Sequence, residues 1–240
     1  MRLYVGCCGF PIPQKKYVAE FNVVELQSTF YRVPRLSTAK KWKDSAPIDF
    51  IFTVKAFQGI THSMNSPTWK KSNIKPTKGH GEFKPTEEVH ESWKITKQIC
   101  EILSAPIAIL QTPPTFKDTE ENLKNVEAFF DTIDRGKLLI GLEPRGWQKE
   151  SIIKICKKFD LIHVTDPFHS LPYYTLNGRI SYLRLHGSPP GKRMYSYKYT
   201  DNDLQKLKEM INEIKAEEVY VLFNNIYMYE DSKRFVRLFS

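Results

Sequence analysis

No stretch of this sequence reaches the ~18 consecutive apolar residues that a membrane-spanning helix requires, so a membrane partner is not expected. It also lacks a basic leader followed by an apolar region. The N-terminus runs directly into Leu3-Tyr4-Val5, which leads us to expect a cytoplasmic protein. Cysteine is scarce, at four residues: Cys7 and Cys8 are adjacent, while Cys100 and Cys156 fall in expected helices. No CxxC pair or zinc-ribbon spacing occurs, and a chain of this size needs no disulfide framework, so reduced and mostly buried thiols are expected. There is no GxSxG elbow, no P-loop and no kinase-like set of motifs, and Gly6-Cys7-Cys8-Gly9 matches GxGxxG poorly. Acidic residues are short as well. Thirty-six Lys and Arg stand against twenty-seven Asp and Glu, a net charge of +9 that favours an anionic partner, although solvated lysine faces give the same imbalance.

What is present is a recurrence of short apolar runs separated mostly by helical patterns: Leu3–Val5, Val23–Leu26, Phe50–Val54, Ile107–Leu110, Leu138–Leu142, Leu161–Val164, Tyr182–Leu185 and Val219–Phe223. Several are continuous rather than alternating, as in strands buried on both faces of a parallel sheet. Between them, Ser37 is placed to cap a helix ending near Ala46. Thr86 precedes a helix over Glu87–Leu103 with a stripe of Val89, Trp93, Ile95, Ile99, Ile102 and Leu103. Asp118 opens another helix. Thr200-Asp201-Asn202-Asp203 resembles a capping box before a helix whose Leu204, Leu207, Ile211 and Ile214 share one face. A last helix is expected over about Tyr229–Phe239. Eight such units in 240 residues, 41% hydrophobic, predict a single (β/α)8 TIM-type barrel over residues 1–240.

In such a barrel the C-terminal strand ends share one rim, and here those ends are polar. Glu25 and Gln27 lie in or after strand two, followed by Ser28, Thr29 and Tyr31. Lys55 ends strand three, with His62 beyond it. Gln111 ends strand four, Glu143 and Arg145 end strand five, His163 and Asp166 mark strand six, Arg184 and His186 strand seven, and Asn224 and Asn225 strand eight. Glu143 and His186 are the candidate proton-transfer groups, with Glu25 a third candidate. Glu25 has a purely structural alternative, pairing with Arg184 or Lys55. The remaining candidates for substrate contact are Tyr31, Lys55, His62, Gln111, Arg145, Asp166, Arg184, Asn224 and Asn225. Glu25, Glu143, His163, Asp166 and His186 are acceptable metal-ligand types, but no HxH, HExxH or DxD spacing joins them, so the cofactor stays unknown and a divalent metal stays open.

Two long connections leave the same ends. Phe57–Pro85 holds Lys70, Lys71, Lys75, Lys78 and Lys84 against one acid, Glu82. Gly187–Tyr199 reads GSPPGKRMYSYKY, in which Lys192 and Arg193 are candidate anion contacts. Its alternating Tyr195, Tyr197 and Tyr199 suit base stacking, or packing against the following helix.

These rim residues fall in six blocks that resemble the YecE-like family, a domain of unknown function with a barrel fold. They are Val24-Glu25-Leu26-Gln27-Ser28-Thr29-Phe30-Tyr31, Phe52-Thr53-Val54-Lys55-Ala56 with Ile60-Thr61-His62, Leu110-Gln111-Thr112-Pro113-Pro114, Leu142-Glu143-Pro144-Arg145-Gly146-Trp147, Tyr182-Leu183-Arg184-Leu185-His186-Gly187, and Val221-Leu222-Phe223-Asn224-Asn225. The resemblance implies a TIM-type barrel with a shared rim site and supplies no reaction. Its barrel is similar in outline to sugar isomerases and metal-dependent apurinic endonucleases. Two departures stand out. Gly6-Cys7-Cys8-Gly9-Phe10 replaces the family's Gly-Thr-Ser-Gly-Trp type turn, and Ile226-Tyr227-Met228-Tyr229 replaces a small glycine-containing turn. The expected function is an enzyme of hydrolase or isomerase type acting on a phosphorylated or nucleotide-like anion, small molecule or nucleic acid. The alternative is a non-catalytic protein that binds single-stranded or damaged nucleic acid, and weaker still is a scaffold for an acidic protein.

Overall fold

The chain is described from a computed structural model, which covers residues 1–187 and 194–239. Its eight strands follow one another in sequence order around a closed parallel barrel. They are β1 (Arg2–Cys8), β2 (Val23–Leu26), β3 (Ile51–Lys55), β4 (Ile107–Gln111), β5 (Leu139–Glu143), β6 (Ile162–Thr165), β7 (Ile180–Leu185) and β8 (Glu218–Phe223). The helices are α1 (Gln14–Tyr17), α2 (Ser28–Tyr31), α3 (Leu36–Asp44), α4 (Glu87–Leu103), α5 (Glu120–Thr132), α6 (Lys149–Phe159), α7 (Asp201–Glu213) and α8 (Met228–Val236). Among the described residues no helix is long and apolar enough to cross a membrane.

By density of contacts the chain divides into two compact units. The first comprises Met1–Glu25, Ala46–Ile51 and Ile162–Ser240. In it β1 pairs in parallel with both β2 and β8, and β7 pairs with β6 and β8. Its apolar core joins Val5, Leu183, Leu185, Val219, Val221 and Phe223 to Leu204, Leu207, Ile211 and Ile214, the face of α7 read from the sequence. Each such leucine or isoleucine contributes roughly 1.5–3 kcal/mol by leaving water. The capping box of α7 is complete: Asp203 N–H donates to the Thr200 hydroxyl, while the Asp203 carboxylate accepts from Thr200 N–H at 2.8 Å. Cys7 is buried here beside Ser232 and the Met228 carbonyl, and burial pushes its thiol up to about 12, so it is a packed group rather than a nucleophile.

The strand–helix repeat is broken once in the first unit. Asp166–Arg179, between β6 and β7, forms turns and an isolated bridge rather than a helix. Pro167 and Pro172 interrupt the segment, and Leu176, Asn177 and Gly178 all take positive φ before β7 begins. The Asp166 side chain accepts from Phe168 N–H at 3.1 Å instead of capping a helix.

The second unit comprises Leu26–Ser45 and Phe52–Leu161. β3, β4 and β5 pair in parallel, with Gln111 in register with Glu143. Phe83, Phe129, Phe130 and Trp93 pack edge to face at one side of α4. That helix runs over Glu87–Leu103 as expected, but its buried face holds Ser92 and Thr96 in addition to Val89, Trp93, Ile99 and Leu103, and leaves Ile95 and Ile102 partly exposed. The reason is a backbone group past the end of β3: Phe57 N–H donates to the Thr96 hydroxyl at 3.1 Å, a bond no isoleucine offers. Other boundaries shift by a residue or two. α3 begins at Leu36 and ends at Asp44, so Ser37 lies inside it. Thr119, not Asp118, caps α5, and the Asp118 carboxylate instead accepts from Gln148 N–H at 3.0 Å.

The buried Asp231 organises the first unit's loops. Its carboxylate accepts from Asn225 Nδ2 at 2.7 Å, Arg234 Nη1 at 3.1 Å and Tyr199 N–H at 3.2 Å. Replacing Asp231 with Ala leaves three donors short of their acceptor, and we expect a loss of roughly 3–5 kcal/mol in urea unfolding. A loss below about 1 kcal/mol would show that the network is dispensable.

Candidate functional site

In the second unit two strand-end residues, Lys55 and Glu143, each stand with a residue from the segment that follows, His62 and Arg145. Lys55, the last residue of β3, is buried, with its ammonium 4.0 Å from the centre of the Phe30 ring. The His62 ring meets the same Phe30 edge to face at 4.9 Å. Glu143, the last residue of β5, accepts from Arg145 Nε at 2.8 Å and is also buried. Local sequence explains the placement. The Thr29 hydroxyl lies 2.7 Å from the carbonyls of both Leu26 and Lys55, tying α2 to the end of β3. Thr112 does the same between β4 and β5: its N–H donates to Glu143 O, and its hydroxyl accepts from Arg145 N–H, both at 3.1 Å. Trp147 then anchors the turn by donating to Phe116 O at 2.8 Å.

The electrostatics of this group are legible in His62. Burial first, then the charges of Lys55 and of Arg145, push its imidazole down to about 3. His62 is therefore neutral at any ordinary pH. Its Nδ1 lies 2.8 Å from the Thr61 hydroxyl. Burial disfavours the charged imidazole, and the two cations add a positive potential in the same direction. Gln111 ends β4 beside Glu143 and is buried. Tyr31 lies one ring from Lys55, its centre 4.8 Å from that of Phe30.

In the first unit the strand ends do different work. Glu25 and Arg184, both 0% exposed, form an ion pair at 3.0 Å, and Tyr182 donates to the same carboxylate at 3.0 Å. This is the structural pairing foreseen as an alternative for Glu25. His186 and Asp166 form a second pair: Asp166 Oδ2 accepts from His186 N–H at 2.8 Å and lies 3.4 Å from Nδ1. A carboxylate at Nδ1 orients an imidazole and selects its tautomer. His163 carries its proton on Nε2, because Nδ1 accepts from Tyr173 N–H at 3.0 Å. Asn224 is half-buried beyond β8. Both amide hydrogens of Asn225 are committed, to Tyr197 O at 2.8 Å and to Asp231, so this residue braces the loop.

The tyrosine alternation of the β7 loop resolves unequally. Tyr199 is buried and accepts from Gly187 N–H at 2.8 Å; Tyr197 donates to Asp203 at 2.7 Å, a bond that with burial pushes its phenol up to about 12. Only Tyr195, 44% exposed and edge-on to His186 at 5.9 Å, presents a ring to solvent. Base stacking by three alternating rings is thus replaced by packing of two of them. Gly187 is required at this turn: its φ is +102°, and a Cβ would sit 2.0 Å from Met194 O. Lys192 and Arg193 lie outside the described residues. Among the described residues no group of three or more His, Cys, Asp and Glu stands close enough to share a metal ion, so the donor set does not fit one. Sequence reasoning overlooked Phe30, Thr61, Thr112 and Asp231. The three that border the candidate groups all sit within the six family blocks; Asp231 lay hidden in the first turn of the last helix.

The family described as "Protein of unknown function DUF72" matches residues 14–239. The chain belongs to that family. UPF0759 protein YunF from Bacillus subtilis is 22% identical over 93% of this chain and 88% of its own length. A DUF72 family protein from Enterococcus faecalis superposes with a TM-score of 0.76 at 20% identity, covering 99% of this chain and 97% of its own. Endonuclease IV from Thermus thermophilus superposes at 0.53 with 9% identity over 99% of this chain and all of its own, a likeness of fold. The DUF72 family is uncharacterised, and its barrel has such DNA-processing and sugar-isomerase-like proteins among its structural neighbours.

The His62 shift has a consequence for acid stability. An unfolded chain takes up the His62 proton below about pH 6.5, whereas the folded chain refuses it until about 3. The stability from a neutral His62 is complete above pH 6.5 and drains away as pH falls toward 3. Between pH 7 and pH 5 the wild type should lose roughly 2 kcal/mol more than His62→Gln does, in paired urea titrations. Equal losses would mean that the imidazole titrates normally.

Proposed function

We propose that this protein is an enzyme acting on a phosphate-bearing substrate, with the anion received by Lys55 and Arg145 and a proton handled by Glu143. The observation that carries this reading is the buried Lys55, stacked on Phe30 beside His62, together with the half-buried Arg145, whose charges both act on that neutral imidazole. The positive potential that adds to burial in keeping a proton off this imidazole attracts a phosphate dianion by the same physics, and the burial of Lys55 strengthens such a contact. Glu143 lies 2.8 Å from Arg145 Nε, so a carboxylate stands beside the guanidinium that would meet developing negative charge. With the Thr61 hydroxyl donating to Nδ1, His62 keeps a neutral Nε2–H for a phosphoryl oxygen.

Within the first unit we assign proton transfer to the Asp166–His186 pair. Asp166 beside Nδ1 leaves Nε2 as the working nitrogen of a general base. Within the first unit Glu25, fully buried against Arg184 and Tyr182, is assigned a positioning role and Asn224 a substrate contact; within the second, Gln111 and Tyr31 are assigned to substrate contact.

The test is a panel of sugar phosphates, nucleotides, phosphodiesters and abasic or nicked DNA, followed by ³¹P NMR and gel analysis. We expect turnover that falls 100-fold or more in Glu143→Gln, in line with general acid–base contributions of roughly 10²–10⁴. His186→Asn should lower kcat by about as much. Turnover that is unchanged in Glu143→Gln would remove this carboxylate from the chemistry. Salt-sensitive oligonucleotide binding with no turnover anywhere in the panel would replace the enzyme by a binding protein.

A further inference from the structure

The lysine-bearing connection Phe57–Pro85 is too well anchored to be solvated decoration. Val33 and Asn73 exchange two hydrogen bonds at 3.0 Å, the asparagine side chain acting as a strand partner for the backbone after α2. Arg32 Nε donates to Lys71 O at 2.8 Å. Trp69, buried, donates from Nε1 to Ser63 O at 2.9 Å, and Ser66 caps the one-turn helix Pro67–Lys71. The result fixes Arg32, Lys70 and Lys71 next to one another on an exposed edge. Lys84 of the same connection is neutralised by Glu82 at 2.7 Å, but among the described residues Arg32, Lys70 and Lys71 have no carboxylate partner. Three like charges held together on a rigid backbone repel one another, and the fold has spent ordered backbone to keep them there.

A path of rings leads inward from these cations. Lys71 Nζ lies 5.0 Å from the centre of Tyr31, Tyr31 meets Phe30 at 4.8 Å, and Phe30 carries Lys55 on its face at 4.0 Å and His62 on its edge at 4.9 Å. A surface cation, two aromatic rings and the buried Lys55 thus form one continuous line within the second unit. From this line we infer that Arg32, Lys70 and Lys71 make a second phosphate subsite, so that the ligand is a single strand of nucleic acid rather than a mononucleotide or sugar phosphate. The inference rests on the reading of Lys55 and Arg145 as the first subsite. A ligand with one phosphate fills only that first position. A strand places one phosphate there and further ones, a few nucleotides along, on the exposed trio, with Tyr31 between them. Cations interleaved with aromatic rings suit unpaired bases, whose faces a duplex conceals.

Two probes separate the inference from its foundation. Inorganic phosphate, followed by calorimetry in the wild type and in Lys55→Met, isolates the Lys55–Arg145 position as the binding that this variant loses; a fluorescein-labelled single-stranded DNA of about 15 nucleotides, followed by anisotropy across a salt series, reports on both. The variant is Lys70→Ala/Lys71→Ala, two exposed side chains outside the core, with unchanged thermal unfolding as its control. We expect oligonucleotide affinity to fall about tenfold or more and the slope of log K against log salt to flatten by about 1.4, the single-strand value for two lost phosphate contacts. Phosphate binding should stay unchanged in that variant and disappear in Lys55→Met. Equal oligonucleotide affinity and slope in wild type and variant would overturn the second subsite while leaving the first in place. Oligonucleotide binding that depends on Lys70 and Lys71, without any phosphate binding by the wild type, would instead overturn the first subsite. Displacement of the DNA by polyaspartate at equal charge concentration would overturn the nucleic-acid assignment.

Discussion

Charge kept out of water must be paired, neutralised or put to use, and the strand ends of this barrel apply all three solutions. Glu25 and Arg184 pair completely, with Tyr182 adding a third bond, and neither touches solvent. His62 is neutralised, its proton excluded by burial and by the fields of Lys55 and Arg145. Glu143 is held by Arg145. A pair such as Glu25–Arg184 adds little net stability over apolar residues of similar volume, since desolvation offsets most of the attraction, but it makes the loss of either partner expensive. Such groups specify an arrangement more than they strengthen it.

The supports of those groups are hydroxyls and carboxylates that bond to backbone. Thr29, Thr96 and Thr112 each take up a backbone polar group at or just past a strand end, and Asp118 holds the turn that follows Arg145 and Trp147. Asp231 and Asn225 brace the loop beyond β7 in the same manner. Parallel strands leave their last amides and carbonyls unpaired at the rim, and a buried unpaired amide costs about as much as a lost hydrogen bond. Short polar side chains near the ends meet that need, and in doing so they fix the functional side chains next to them.

Most of the architecture could be read before any coordinates. β2 spans the residues expected of it, and the other strands differ by one to three residues at an end. Strands covered on both faces need unbroken apolar runs, and helices on their outside need a 3.6-residue stripe, so both leave marks in the primary structure. Misreadings came where a polar group was needed for a partner distant in sequence. Thr96 took a place on α4 that periodicity offered to an isoleucine, whereas Tyr197 and Tyr199, bonded to Asp203 and Gly187, took the packing that stood beside base stacking as an alternative. The segment after β6 departs from the strand–helix repeat, as its prolines and its Asn-Gly turn require.

By itself the order of the residues determined the barrel, the family and the list of polar groups at the strand ends, because periodicity and strand-exit position are local properties. Only the tertiary structure decided what each of those groups does. Whether a histidine is charged depends on which cations face it, whether a carboxylate is spent depends on which guanidinium reaches it, and whether a lysine-rich loop is fixed depends on an asparagine pairing with backbone forty residues earlier. Burial and Coulomb fields act through space, and the distances along the chain that separate these partners carry no trace of it.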